Sequence, residues 1–207
     1  MREKFKSFFL ILSLLSFFVL ANAETQTLSI HAKIGAASPV EEHIHSSLSG
    51  AFGLALHFDN KISVSLDLGS WKSLVDEKLH RMFKGKMTLT PLLISFRYFL
   101  TLDKRISSYT VIGGGYVFTH FKMDDVITIP EITISQKVTS GLCLHVGLGA
   151  SLKITKSFGL LAEGVYFSRK SKGVTTISDM NFGSSSEEFS VRLHTILFQV
   201  GIISFFD

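Results

Sequence analysis

The sequence predicts an all-β fold, an eight-stranded antiparallel transmembrane β-barrel preceded by a cleaved signal peptide. Three observations lead there. Apolar residues recur with period two in eight separate segments, the spacing of strands whose two faces meet different surroundings. The connections between these segments alternate long and short without exception, as in barrels whose two ends face different compartments. The composition is apolar, with mean hydropathy +0.34 and 12% aromatic residues. Yet after Ala23 no apolar run reaches the length of a membrane-crossing helix. A membrane protein without such helices must close its sheet, because lipid cannot satisfy open backbone groups.

Residues 1–23 read as the signal peptide. Arg2, Lys4 and Lys6 precede the apolar run Phe8 to Leu20, and Ala21-Asn22-Ala23 has the small-x-small form of a cleavage site. The barrel domain is then 24–207. Its first strand alternates Leu28, Ile30, Ala32, Ile34 and Ala36 with Ser29, His31, Lys33 and Gly35. The second alternates Leu48, Gly50, Phe52, Leu54, Leu56 and Phe58 with Ser49, Ala51, Gly53, Ala55 and His57. The third sets Ile62, Val64, Leu66 and Leu68 against Ser63, Ser65, Asp67 and Gly69. The fourth sets Leu92, Ile94, Phe96 and Tyr98 against Leu93, Ser95 and Arg97. In the fifth, Ile112, Gly114, Tyr116 and Phe118 oppose Gly113, Gly115 and Val117. The sixth is the cleanest: Leu142, Leu144, Val146, Leu148, Ala150, Leu152 and Ile154 against Cys143, His145, Gly147, Gly149, Ser151 and Lys153. The seventh sets Phe158, Leu160, Ala162, Gly164 and Tyr166 against Gly159, Leu161, Glu163 and Val165. The eighth sets Ile196, Phe198, Val200, Ile202 and Phe206 against Thr195, Leu197, Gln199, Gly201 and Ile203.

Asp59 to Lys61, Thr101 to Arg105 and Thr155 to Ser157 are short and turn-like. Ser38 to Ser46, Trp71 to Lys86, Lys122 to Ser140 and Arg169 to Glu188 are long and polar, and read as loops. Both chain ends then fall on the side of the short turns. A soluble barrel would carry its apolar faces inward instead. The loop alternation and the glycine-rich second face favour the membrane arrangement. That face points into a narrow barrel whose side chains pack it shut. His31, Lys33, Asp67, Arg97, His145, Lys153 and Glu163 are therefore expected inside, as an ion-pair and hydrogen-bond network, since buried charges need partners.

The charge balance excludes other classes. The chain has 21 basic and 17 acidic residues. Without Arg2, Glu3, Lys4 and Lys6 the balance is 18 against 16, a net charge of +2 rather than +4. No long basic run remains, so nucleic acid is not an expected partner. Cys143 is the only cysteine, which leaves no intramolecular disulfide and no cysteine-based zinc pattern.

Thr90 to Phe99 (TPLLISFRYF), Tyr109 to Tyr116 (YTVIGGGY), Gly147-Leu148-Gly149-Ala150 and the aromatic C-terminus resemble the small outer-membrane β-barrel proteins. This is the broad group around outer membrane protein W and the eight-stranded surface barrels. The resemblance spans the whole mature chain. It implies a location in the cell outer membrane of a Gram-negative bacterium. The implied partners are outer-membrane lipid and lipopolysaccharide, with periplasmic chaperones and the barrel-assembly machinery during biogenesis. It also implies a C-terminal assembly signal, which Phe198, Val200, Ile202 and Phe206 match, while Ser204 and the terminal Asp207 depart from it.

Several groupings bear on chemistry. Glu41, Glu42, His43, His45, Ser46 and Ser47 crowd the first long connection. They include a His–Ser pair of the kind used in acyl transfer, without a matching local motif. His120 with Asp124 and Asp125, and Glu187 with Glu188, are candidates for divalent cations bridging lipopolysaccharide. Lys72, Lys78, Arg81, Lys84 and Lys86 are candidates for its phosphates. None of these amounts to an assigned catalytic, cofactor or metal site, and no cofactor is expected. The reading is a non-enzymatic structural or surface-exposed barrel with four long extracellular loops. The alternatives are a narrow channel for small or hydrophobic solutes, which the resemblance also implies, and a lipid A-modifying enzyme.

Overall fold

The computed structural model describes residues 27–58, 61–76, 84–101, 105–123, 132–179 and 183–206. The signal-peptide expectation lies outside these residues. Eleven strands follow in chain order: β1 (Thr27–Pro39), β2 (Ser47–His57), β3 (Ile62–Val75), β4 (Gly85–Thr101), β5 (Ile106–Met123), β6 (Ile132–Val138), β7 (Gly141–Lys153), β8 (Phe158–Ser168), β9 (Lys170–Asp179), β10 (Gly183–Arg192) and β11 (Thr195–Phe206). Eight of them close a barrel in the order β1-β11-β8-β7-β5-β4-β3-β2, and β10-β9-β6 form a separate three-stranded sheet. Every neighbouring pair in the barrel is antiparallel. Closure comes from the first and last strands, in register from Leu28↔Phe206 to Pro39↔Thr195. No sheet edge is left within the barrel. Among the described residues no helix is long and apolar enough to cross a membrane.

Period two decides which way each side chain points. On β7, Leu144, Val146 and Leu148 are exposed while Cys143 and His145 are buried. On β11, Phe198, Val200 and Ile202 are exposed while Leu197, Gln199 and Ile203 are buried. The exposed apolar residues form a continuous band around the barrel. Aromatic side chains border it: Tyr98, Phe158 and Phe206 toward the short turns, and Phe118, Tyr166 and Phe198 toward the long connections. Tyr116 and Phe118 meet edge-on at 5.1 Å. An apolar band between aromatic girdles is the exterior of a barrel in a bilayer.

The strands differ from expectation at their far ends. β3, β4 and β5 run well past the predicted limits, so both described ends of the connection Trp71 to Lys86, up to Val75 and from Gly85, are strand rather than loop. The physical reason is that the contrast between the two faces is lost past Gly69. Below it the inward residues of β3 are Ser63, Ser65 and Asp67; above it Trp71, Ser73 and Val75 are buried while Lys72 and Leu74 are exposed. Pro91, which has no N–H to donate, stands beside Gly69, and the β3–β4 ladder skips positions 69 and 70.

The connections Lys122 to Ser140 and Arg169 to Glu188 likewise carry β6, β9 and β10 rather than open loops. These prolong the wall made by β7, β8 and β11 after short breaks. β9 starts one residue after β8, and its pairing with β10 begins at Lys170↔Arg192. Arg169 fills the break. Its guanidinium donates to the Val117 carbonyl (3.4 Å), Thr119 Oγ1 (2.7 Å), Ser171 Oγ (3.2 Å) and the Thr139 carbonyl. One buried side chain thus ties β5 to β9, the central strand of the added sheet, and to Thr139 just after β6.

Candidate functional site: the charged barrel interior

Seven inward residues from five strands meet in the middle of the barrel. Asp67 on β3 accepts from Ser65 Oγ at 2.7 Å and lies 2.6 Å from His31 Nε2 on β1. Lys33, one inward position further along β1, sits 3.1 Å from Asp67 Oδ1 and 3.0 Å from Glu163 Oε1 on β8. Arg97 on β4 approaches both acids from the other side, 3.6 Å from Asp67 and 3.5 Å from Glu163. Tyr109 on β5 donates to Glu163 Oε2 at 3.1 Å, and its ring lies 5.8 Å from the Arg97 guanidinium carbon. Beside them, His145 on β7 pairs with Ser95 Oγ at 3.0 Å. Two cations face two carboxylates, and each carboxylate touches both cations. Such mutual pairing is what makes buried charge tolerable.

Inward glycines make this layer possible. A Cβ on Gly53 would stand 2.5 Å from His31 Nε2 and 2.8 Å from Asp67 Oδ1. One on Gly113 would stand 2.6 Å from the His145 ring. Strands β2 and β5 therefore give up side-chain volume to rings and acids from β1, β3 and β7.

The layers above and below are apolar or aromatic. Toward the long connections, Trp71, Met87, Leu89, Val117, Phe167 and Leu197 form a buried cluster, with Trp71 and Phe167 edge-to-face at 5.4 Å. Toward the short turns, His57 packs between Phe99 (5.9 Å) and Phe205 (5.7 Å) and pairs with Ser29 Oγ at 2.8 Å. A cavity of about 30 Å³ lies against the charged layer, lined among others by Lys33, Asp67, Trp71, His145, Glu163 and Gln199. That is space on the scale of a water molecule.

Of the seven residues expected inside, His31, Lys33, Asp67, Arg97, His145 and Glu163 are all buried here. Lys153 is not. It is exposed at the last position of β7, with its ammonium 4.9 Å from the Phe205 ring. Its place beyond the rim, beside the short turn, leaves the amine in water while its stem covers the ring. Two participants escaped the sequence reading. Tyr109 lies before the stretch where alternation is clear, and Ser65 looks like any inward serine. Phe198, Val200, Ile202 and Phe206 all face outward on β11.

The first connection holds no clustered chemistry. His45 pairs with Asp76 at 3.1 Å in solvent, and the Ser46 hydroxyl donates to Ser38 at 3.3 Å. Among the described residues no group of three potential ligands is placed to hold a metal. Asp124, Asp125, Lys78 and Arg81 lie outside the described residues.

No family model and no curated protein matches the chain. Solved structures do. The outer membrane protein OprG from Pseudomonas aeruginosa superposes with a TM-score of 0.71 at 13% identity, over 88% of this chain and 96% of that one. A major outer membrane protein from Thermus thermophilus gives 0.59 at 12% identity, over 88% and 100%. Neisserial surface protein A gives 0.51 at 12% identity, over 86% and 96%. The chain shares the fold of small eight-stranded outer-membrane barrels.

Proposed function

We propose that this chain is an integral outer-membrane barrel, sealed to solutes, which displays a three-stranded sheet at the cell surface. The observation that carries this reading is the filled interior. A charge-balanced layer lies between an apolar cluster and an aromatic layer. The likeness in fold to outer-membrane barrels supports the membrane placement, as does the apolar band between aromatic girdles. In this reading residues 1–23 are removed on export. Outward Phe198, Val200, Ile202 and Phe206 form the signal read by the assembly machinery. The charged layer serves stability rather than catalysis or transport.

The test is conductance. Purified, folded protein in planar bilayers should give no steady single-channel steps. Reproducible steps would favour the narrow-channel reading, with Lys33, Arg97, Asp67 and Glu163 as the residues a solute must pass.

A further inference from the structure

Beside the charged layer, one register row is short of side-chain volume. Ala51 on β2 stands between Lys33 on β1 and Gly69 on β3, and Gly69 in turn meets Pro91 on β4. Ala51 and Gly69 carry little bulk, and the cavity of about 30 Å³ lies against them.

The polar groups that share this space are incompletely paired. Trp71 is 3% exposed and His145 4%. Both line the cavity, and among the described residues Trp71 Nε1 and His145 Nδ1 have no hydrogen-bond partner. Lys33 lines it too. Its ammonium carries three N–H groups, of which Asp67 and Glu163 take two. An indole N–H can only donate, and so can an ammonium. A buried donor left unpaired costs the full desolvation of that group. The space therefore calls for a small acceptor.

Charge decides which acceptor fits. Lys33 and Arg97 already balance Asp67 and Glu163, so a halide would bring an unmatched negative charge beside two carboxylates. Water brings none, needs about 10–15 Å³ of such space, and is held by a few polar partners.

We propose that the cavity is a binding site for one or two ordered water molecules, accepting from Trp71 Nε1 and Lys33 Nζ and donating to His145 Nδ1. His145 then keeps its proton on Nε2, which donates to Ser95 Oγ. The water joins the charged layer to the Trp71–Phe167 pair, so this aromatic pair is held by a hydrogen bond as well as by packing. The site rests on the sealed interior proposed above, since a continuous aqueous pore would not fix a water in place.

Trp71 is the only tryptophan of the chain. Its indole N–H therefore gives a single magnetic-resonance signal in isotope-labelled, full-length protein folded in phosphatidylcholine nanodiscs. Magnetisation transferred from water should reach that proton, with Overhauser effects of opposite sign in the laboratory and rotating frames, the mark of a water that stays. The backbone amides of Met87 and Val117, within the apolar cluster, should receive none. His145 Nδ1 should show the nitrogen shift of an unprotonated ring atom. Ala51→Val adds two methyl groups to the same space and should abolish the transfer to the indole. The native protein decides the matter even if that variant does not fold. No transfer to the indole would overturn the site, while conductance judges the sealed barrel separately. Transfer to Met87 and Val117 as well, with steady conductance, would overturn the sealed interior and the site with it. A proton on His145 Nδ1 would overturn the assigned donors and acceptors. A shift of the indole signal when bromide replaces chloride would overturn water in favour of an anion.

Discussion

Lys33 reaches both carboxylates of the interior, so removing either acid leaves a cation short of a partner. Glu163→Gln leaves Lys33 and Arg97 facing Asp67 alone. Breaking a buried pair from one side costs about 3–5 kcal/mol. The urea midpoint for loss of the heat-modifiable folded form should fall accordingly. Lys33→Met combined with Glu163→Gln restores balance, because Arg97 keeps Asp67 at 3.6 Å. The double variant should recover part of the loss, and equal losses in the two proteins would contradict the charge-balance account. At this scale much was legible in the sequence. A charged residue on the polar face of a membrane strand has nowhere to go but inward, and six of the expected residues lie there. Lys153 is the exception because period two gives a direction, not a depth. At the strand's last position the inward side already opens to water.

At the scale of elements, strand identity was legible only inside the apolar band. There the outward residues are apolar and the alternation is plain, as on β7. Beyond Gly69 each face of β3 mixes polar and apolar residues, with Ser73 buried and Leu74 exposed. Trp71 and Val75 pack inward while Lys72 stays outside, and a search for apolar-out strands stops there. β10 carries Gly183 to Glu188 exposed throughout, so neither face marks it as a strand. The better clues were the β-branched stretches Ile132 to Ile134 and Val174 to Ile177, which fit strands. The assignment of faces can be tested on β7. Val146 is 52% exposed in the apolar band, and an arginine facing lipid near the midplane costs about 2–4 kcal/mol. Val146→Arg should cut the folded fraction recovered in lipid vesicles. His145→Gln loses only the imidazole side of its Ser95 bond and should be milder. Normal folding of Val146→Arg with failure of His145→Gln would mean that the faces are inverted.

The whole molecule has two unlike ends, and its proposed role depends on which end faces out. The short turns, the ends of β1 and β11 at Leu28 and Phe206, and the exposed Lys153 and Lys156 share one end. The sheet β10-β9-β6 stands at the other, held by Arg169. The eight-strand count and closure were legible because each barrel strand crosses the apolar band. The added sheet was not, since it never enters that band. The most direct measurement is labelling of intact cells with an impermeant thiol reagent, after Cys143→Ser removes the native thiol. A cysteine at Ser184, exposed on β10, should react on whole cells. A cysteine at Lys156, exposed in the turn between β7 and β8, should react only once the outer membrane is opened. Reaction at position 156 on intact cells, with position 184 silent until the membrane is breached, would contradict the surface display of the sheet.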